Sequence, residues 1–547
     1  MQPQRAKRVN HTNGVKKFLL LSPHLNDPIP MKLTRTLGVV ILTTLLFSCS
    51  KNIETEQVNQ TSQLSGDLVE KKSVTEIPQG DPLTKERVDE IVKTTYISNG
   101  DFRWEMVDFN VRWSAIQYGD NAVAIGYKPA QIVDVSEQID KIDIQSGAWK
   151  EVHDGLINLI MEELNKNSVR PVALEDILIE DDQVLPIITL KLTDRNVLTR
   201  LYNLENVRYL EPLDYWYGEV NSRSTSGCSA STTGLNAADY STITPNCLLP
   251  WNFNNMNIAS SWNTAQGNGI TIGVIDAGIS SSQTLLGSQF NNGDSNVGRI
   301  FTTDKTFGNS AYSTCTHGTS MCGLAAGPRN NLAATTGVAY KSSVHFIRAC
   351  EDVMLDLSSE RTAVKNALIK MGDKPEVKVI SMSIGSPFYS SVLEDGVNYA
   401  YNKGKMMMAA AGTSFSWLSW WGVVYPAAFV KCVAVTGVDE GFNTCDSCHD
   451  GPEVDFTVTM ERNSNAARNS LSLAPSGYSA KYIGGSSAAT AIAAGIAANV
   501  WSVNSSLTRA QVLSILTTTS QYYPTPNYYT GYGNLNAQAA VNAAAAM

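Results

Sequence analysis

Three residues able to share one proton, a carboxylate, an imidazole and an alcohol, stand in three separate small-residue segments of this 547-residue chain. Asp276 ends the apolar run from Gly269 to Ile275 and is followed by Ala277-Gly278. A carboxylate at the C-terminal end of a strand in an open α/β sheet sits where ligands bind. His317 leads His317-Gly318-Thr319-Ser320, and the small residues after it would let a helix lie close against a sheet. Gly484-Gly485 delivers Ser486 and Ser487 to the first turn of a long Ala-rich helix. Backbone N–H groups and the helix dipole favour negative charge there. A serine hydroxyl is a poor nucleophile until a base takes its proton, and an imidazole oriented by a carboxylate is such a base. Read singly, each segment has a plainer explanation: a turn Asp, a packed His, a core helix. The spacing in the chain is 41 and then 170 residues.

These residues need a scaffold, and the composition says where it lies. Apolar residues make up 43% and aromatic residues 8% of the chain, which excludes a disordered or fibrous protein. A net charge of −9 argues against a nucleic-acid partner, because neutralising phosphates needs a basic face. Charged residues thin from roughly 25% before residue 221 to roughly 11% after it, and a domain boundary is expected there. In residues 80–220, Val152, Leu156, Leu159, Ile160 and Leu164 recur at helical spacing. Val184 to Leu192 reads as a strand, Thr193 and Asp194 as caps of a helix from Arg195 to Leu204, and Val207 to Leu210 as another strand. A small α+β domain is expected from this order.

The three segments together resemble the subtilisin-like serine proteases (subtilases), whose triad runs Asp, His, Ser along the chain. Val379 to Gly385 is similar to that family's substrate-binding strand, Met406 to Gly412 to the strand before its oxyanion residue, and Gly531 to Asn536 to its closing segment. The resemblance implies an α/β fold in which a mostly parallel sheet is flanked by helices over 255–547. It makes Asp276, His317 and Ser487 catalytic, and Ser383, Ile384 and Gly385 the edge that pairs with an extended protein or peptide substrate. It also implies that 80–220 is a propeptide acting as folding aid and intramolecular inhibitor, with 221–254 a linker and N-terminal arm. Cleavage between about Leu213 and Asn246 would release the enzyme.

The chain departs from the family at Thr413, which stands where an Asn side chain usually donates to the oxyanion. In subtilisin, losing that donor costs about 10²–10³ in rate. Thr413 is therefore the tentative oxyanion residue, and the alternative reading is a catalytically impaired peptide-binding protein on the same fold. Ala277 and Ala491 also differ from the usual residues, without touching the triad. Trp417, Trp420 and Trp421 fit either a specificity-pocket wall, a membrane contact or loop aromatics folded over the core. The family often binds structural calcium; this chain has no EF-hand-type ligand run, so no metal or cofactor is assigned.

The N-terminus reads as an address. Residues 1–48 comprise an upstream extension and, from Met31, a basic segment followed by an apolar run of signal-peptide length. Leu46-Phe47-Ser48-Cys49 resembles a bacterial lipobox, so Cys49 is the expected lipidation site and 49–79 a polar tether. An exported protein follows, held to the cell envelope only by that lipid and extracellular once processed. Eight further cysteines suit a compartment that permits disulfides; Cys228 and Cys247 are plausible partners because they bracket a polar stretch. Cys445-Asp446-Ser447-Cys448-His449 formally matches a haem-attachment pattern, with a local disulfide or free thiols the favoured reading.

Overall fold

The computed structural model divides the chain into two units at residue 62, and every described residue belongs to the second. It describes 64–547 apart from 75–79, 167–169, 219–227, 229–233 and 414–421. The signal segment, Cys49 and the three tryptophans at 417, 420 and 421 therefore lie outside the described residues.

Within the second unit the chain first builds a small α+β layer. Two helices, α1 (Lys85–Asn99) and α2 (Phe109–Tyr118), precede strand β1 (Ala122–Tyr127), helix α3 (Gly147–Asn165), strands β2 (Leu178–Asp181) and β3 (Ile187–Lys191), helix α4 (Arg195–Tyr202) and strand β4 (Val207–Pro212). The sheet order is β2-β3-β1-β4, with antiparallel pairing throughout. From β1 onward this is the split βαβ arrangement. Asp194 caps α4 by accepting from the N–H groups of Asn196 and Val197, as its position before the apolar run implies. Val152, Leu156 and Ile160 of α3 are buried in the core with Val197, Leu198 and Leu201 of α4. Residues 64–71, at the end of the expected tether, are instead laid against this layer: Val69 N–H donates to Asn206 and Lys71 N–H to the Asn203 carbonyl.

The hairpin β5 (Tyr240–Ile243) and β6 (Cys247–Pro250) then leads into the larger layer. Just before it, Asp239 is held by Arg462, Arg468 and Tyr482, fixing the arm to the larger domain. The main sheet comprises β7 (Thr271–Asp276), β8 (Phe301–Lys305), β9 (Ser343–Arg348), β10 (Val377–Met382), β11 (Met406–Ala410), β12 (Val433–Asp439) and β13 (Val454–Glu461). Its order is β13-β12-β11-β10-β7-β9-β8, with every pair parallel. Alternate residues of its central strands face two cores. Met406 and Met408 pack with helices α5 (His317–Ala326) and α8 (Gly485–Val503), while Met407 and Ala409 pack against α6 (Ser358–Gly372) and α7 (Ser391–Asn402). Burial on both faces is why these strands read as unbroken apolar runs. Helix α8 is long and apolar enough to cross a bilayer, but 83% of its apolar window is buried, so it is a core helix.

The two layers meet along α6 and α7. Arg208 of β4 makes two hydrogen bonds to Asp395, at 2.5 and 3.0 Å, and Tyr209 donates to the same carboxylate at 2.9 Å. Lys365 of α6 is buried and paired with Asp182 and Glu180. Asp214 accepts from Ser358 N–H, and the Glu211 carboxylate accepts from the N–H groups of Ser391 and Val392. Each acid thus satisfies orphan donors at a helix N-terminus of the other layer.

Among the described residues two disulfides are formed, Cys228–Cys315 and Cys445–Cys448. The expected pairing of Cys228 with Cys247 is corrected: Cys247 is a buried free thiol whose Sγ lies 3.2 Å from the Ala334 carbonyl. The strand pairing of β6 holds Cys247 there, whereas Cys315 lies on the loop that Cys228 reaches. At the haem-type pattern the favoured local disulfide is the one present, and it consumes both sulfurs.

Candidate active site

Topology brings the three chemical segments to one sheet edge. Asp276 is the last residue of β7, between β9 and β10, so its side chain emerges at the C-terminal edge of the sheet. His317 is the first residue of α5. That helix lies so close to β9 that a Cβ on Gly318 would sit 2.5 Å from the Phe346 ring, and Thr319 accepts from Ser280 N–H in the loop after Asp276. The result is a buried pair: His317 Nδ1 is 2.9 and 3.0 Å from the two Asp276 carboxylate oxygens. Ala277 N–H donates to the same carboxylate, which fixes its rotamer. A carboxylate at Nδ1 holds the proton on that nitrogen and leaves Nε2 as the base.

Ser487 stands in the first turn of α8, as the Gly-Gly turn requires. Gly485 has φ +71°, a backbone conformation that side chains rarely adopt, and a Cβ there would lie 2.8 Å from Thr413 Oγ1. Ser487 and Ser383 are tied reciprocally: Ser383 Oγ donates to the Ser487 carbonyl at 2.8 Å, and Ser487 Oγ to the Ser383 carbonyl at 3.4 Å. Among the described residues no hydrogen bond joins Ser487 to His317. Thr413 follows β11, its Oγ1 3.2 Å from Ser486 Oγ, and Ser486 accepts from Gly412 N–H. Thr413 is therefore beside the turn that carries Ser487, with its hydroxyl engaged by Ser486.

The edge expected to receive substrate is already occupied. Gly385 N–H donates to the Val353 carbonyl and its own carbonyl accepts from Leu355 N–H, at 2.9 and 2.8 Å. On the following residue, Ser386 exchanges two backbone bonds with Tyr425. Sequence reasoning treated Ser383-Ile384-Gly385 as an open strand; its Gly385 groups are instead paired with 353–355. That pairing joins segments far apart in the chain, and nothing local announces it.

A cavity of about 50 Å³ adjoins Ser487, with Ser383, Ile384, Gly385, Gly412 and Thr413 on its wall. His449 is also on that wall. No sequence signal placed it there, because pairings distant in the chain bring it to the site, the bridge between Thr413 and Cys448 and its own N–H bond to the Gly412 carbonyl among them. The one grouping of three such donor side chains among the described residues is Cys228, Cys315 and Asp352, and its two sulfurs are bonded to each other, so that grouping does not offer a metal three ligands.

Residues 267–533 match the family model described as the subtilase family. Thermitase of Thermoactinomyces vulgaris is 31% identical over 198 residues, covering 36% of this chain and 65% of thermitase, a little under two thirds of its length. A subtilisin of Bacillus sp. (strain TA39) is 29% identical over 330 residues, 56% of this chain and 74% of that protein. Subtilisin DY of Bacillus licheniformis is 30% identical over 282 residues, 50% of this chain and 92% of that one. Fold and relatives together define a subtilisin-like serine endopeptidase. The chain belongs to the subtilase family.

Proposed function

We propose that this chain is an exported serine endopeptidase made as a zymogen, with Ser487 as nucleophile, His317 as general base and Asp276 as its orienting acid. The observation that carries the reading is the buried Asp276–His317 pair at the sheet edge from which Ser383 and the Ser487 turn also emerge. Rotation of the Ser487 side chain away from the Ser383 carbonyl would offer its hydroxyl to His317 Nε2; such bonds are often loose before substrate binds. His317 would take the hydroxyl proton as Oγ attacks the peptide carbonyl, Asp276 would stabilise the imidazolium, and the imidazolium would protonate the leaving amine. Water would then hydrolyse the acyl-enzyme by the same relay. The Ser487 backbone N–H and Thr413 are the candidate oxyanion donors.

Zymogen character is supported by the docking of 64–218 on α6 and α7. It is also supported by contacts near the cavity: Gly422 N–H donates to Tyr96 of α1, and Tyr425 donates to Asp101. Tyr215 packs in one apolar cluster with Val88, Val92, Trp104 and Met354. Substrate pairing at Gly385 would require 353–355 to part from it. Lipidation at Cys49 would hold the zymogen at the envelope until processing.

A fluorophosphonate probe tests the reading. Processed protein is expected to label at Ser487, and Ser487→Ala to remove the label. Processed wild-type protein that neither labels nor cleaves casein would instead favour the impaired, peptide-binding alternative.

A further inference from the structure

His449 is 6% exposed and held from several directions. Its N–H donates to the Gly412 carbonyl at 2.9 Å, and its own carbonyl accepts from Thr436 Oγ1 at 2.6 Å. The ring lies so close under Gly412, whose φ is +123°, that a Cβ there would fall 2.5 Å from Nδ1. The Cys445–Cys448 disulfide closes the loop immediately before it.

The tautomer follows from one contact. Nδ1 lies 2.8 Å from the Gly422 carbonyl, and a carbonyl only accepts, so the proton sits on Nδ1. Neutral imidazole then carries a lone pair on Nε2, and that atom has no partner among the described residues. Burial pushes the His449 pKa down, which keeps the ring neutral and Nε2 an acceptor. The other groups on the cavity wall include Val353, Met354, Ile384, Ala410 and Val424. The hydroxyls of Ser383, Thr413, Ser486 and Ser487 on the same wall already have partners, so the buried Nε2 acceptor favours an occupant that brings a donor, because an unmet polar atom there costs the full desolvation of that group.

We propose that His449 determines primary specificity, accepting a hydrogen bond at Nε2 from the substrate side chain preceding the scissile bond. The favoured side chain has an apolar body and a neutral O–H or N–H tip. Basic side chains are disfavoured, since among the described residues no carboxylate lines the cavity to balance a buried cation. This rests on the protease reading: with the acyl carbonyl at Ser487 and the substrate strand along Ser383–Gly385, the adjoining cavity receives that residue.

The test compares near-isosteric peptide substrates, Tyr against Phe and Gln against Met at the position before the cut, using processed enzyme. At least one donor-bearing member is expected to exceed its partner roughly tenfold or more in kcat/KM. His449→Phe, which fills the site without an acceptor, is expected to bring that ratio to about one, read per enzyme that the fluorophosphonate labels at Ser487. Labelled wild-type enzyme with both ratios near one overturns the assignment of His449, and needs no variant. A donor preference that survives in labelled His449→Phe overturns it as well. Absence of labelling in processed wild-type protein overturns the protease reading itself, and this inference with it.

Discussion

At the scale of single residues, chemistry depends on which atom of His317 holds its proton. Asp276 sits at 2.9 and 3.0 Å from Nδ1, so Asp276→Asn would present an amide N–H to a nitrogen that must donate. The ring would adopt the other tautomer, and kcat is expected to fall by about 10⁴ with KM little changed, as peptide hydrolysis would show. Thr413 gives the opposite expectation. Its hydroxyl is engaged with Ser486, and Asn is long enough to aim an amide N–H past that contact. Thr413→Asn is expected to raise kcat by about 10- to 100-fold, and an unchanged kcat would mean that backbone donors already suffice. Asp276, His317 and Ser487 were legible in the sequence because each lies in a local signature of strand end or helix start. His449 and the pairing of Gly385 with 353–355 were not, because both depend on contacts between segments far apart in the chain.

At the scale of elements, helix N-termini organise the docking. The cap of α4 and the apolar patterns of α3, α4 and β4 could be read from the chain, since the two helices bury one face in the core of the small layer. Helix α1 was passed over because its buried face is only Val88, Val92 and Tyr96 amid charged residues. The acids that join the layers, Glu211 and Asp214, look like ordinary surface residues until α6 and α7 are placed against them. Burial pushes the Glu211 carboxyl up from 4.5 to about 7, outweighing the stabilising hydrogen bonds from Ser390 and Ser391 and the nearby Arg361. A pKa raised on docking means that the docked state binds the proton more tightly. Docking is therefore fully supported below about pH 4.5 and loses that support as the pH rises through about 7. The affinity of the separated 64–218 segment for the mature domain is expected to fall at least about tenfold between pH 5 and pH 8. Glu211→Gln is expected to flatten this dependence; titration calorimetry at the two pH values measures both.

At the scale of the whole molecule, the disulfide map constrains how a zymogen could be opened. Cys228 is bonded to Cys315, two residues before His317. A cut on the C-terminal side of Cys228 would leave everything before it, including β4 and its Glu211 and Asp214 contacts, covalently fastened to the catalytic layer. A tethered inhibitor rebinds at high effective concentration, so such a cut would do little to free the site. A cut between Gly218 and Cys228 separates the layers and leaves Cys228 as part of the mature N-terminal arm. The sequence window for processing, Leu213 to Asn246, thus contracts to the stretch between Gly218 and Cys228. The mature N-terminus is expected to fall between residues 219 and 228, and the two products to separate on a denaturing gel without reductant. Edman sequencing of active enzyme reads the first, and a non-reducing gel the second. An N-terminus beyond Cys228, with products that part only when reduced, would show that activation needs a thiol step as well as proteolysis. If Cys49 is lipidated, the same cut would part the catalytic layer from its anchor, and anchoring and inhibition would end in one event.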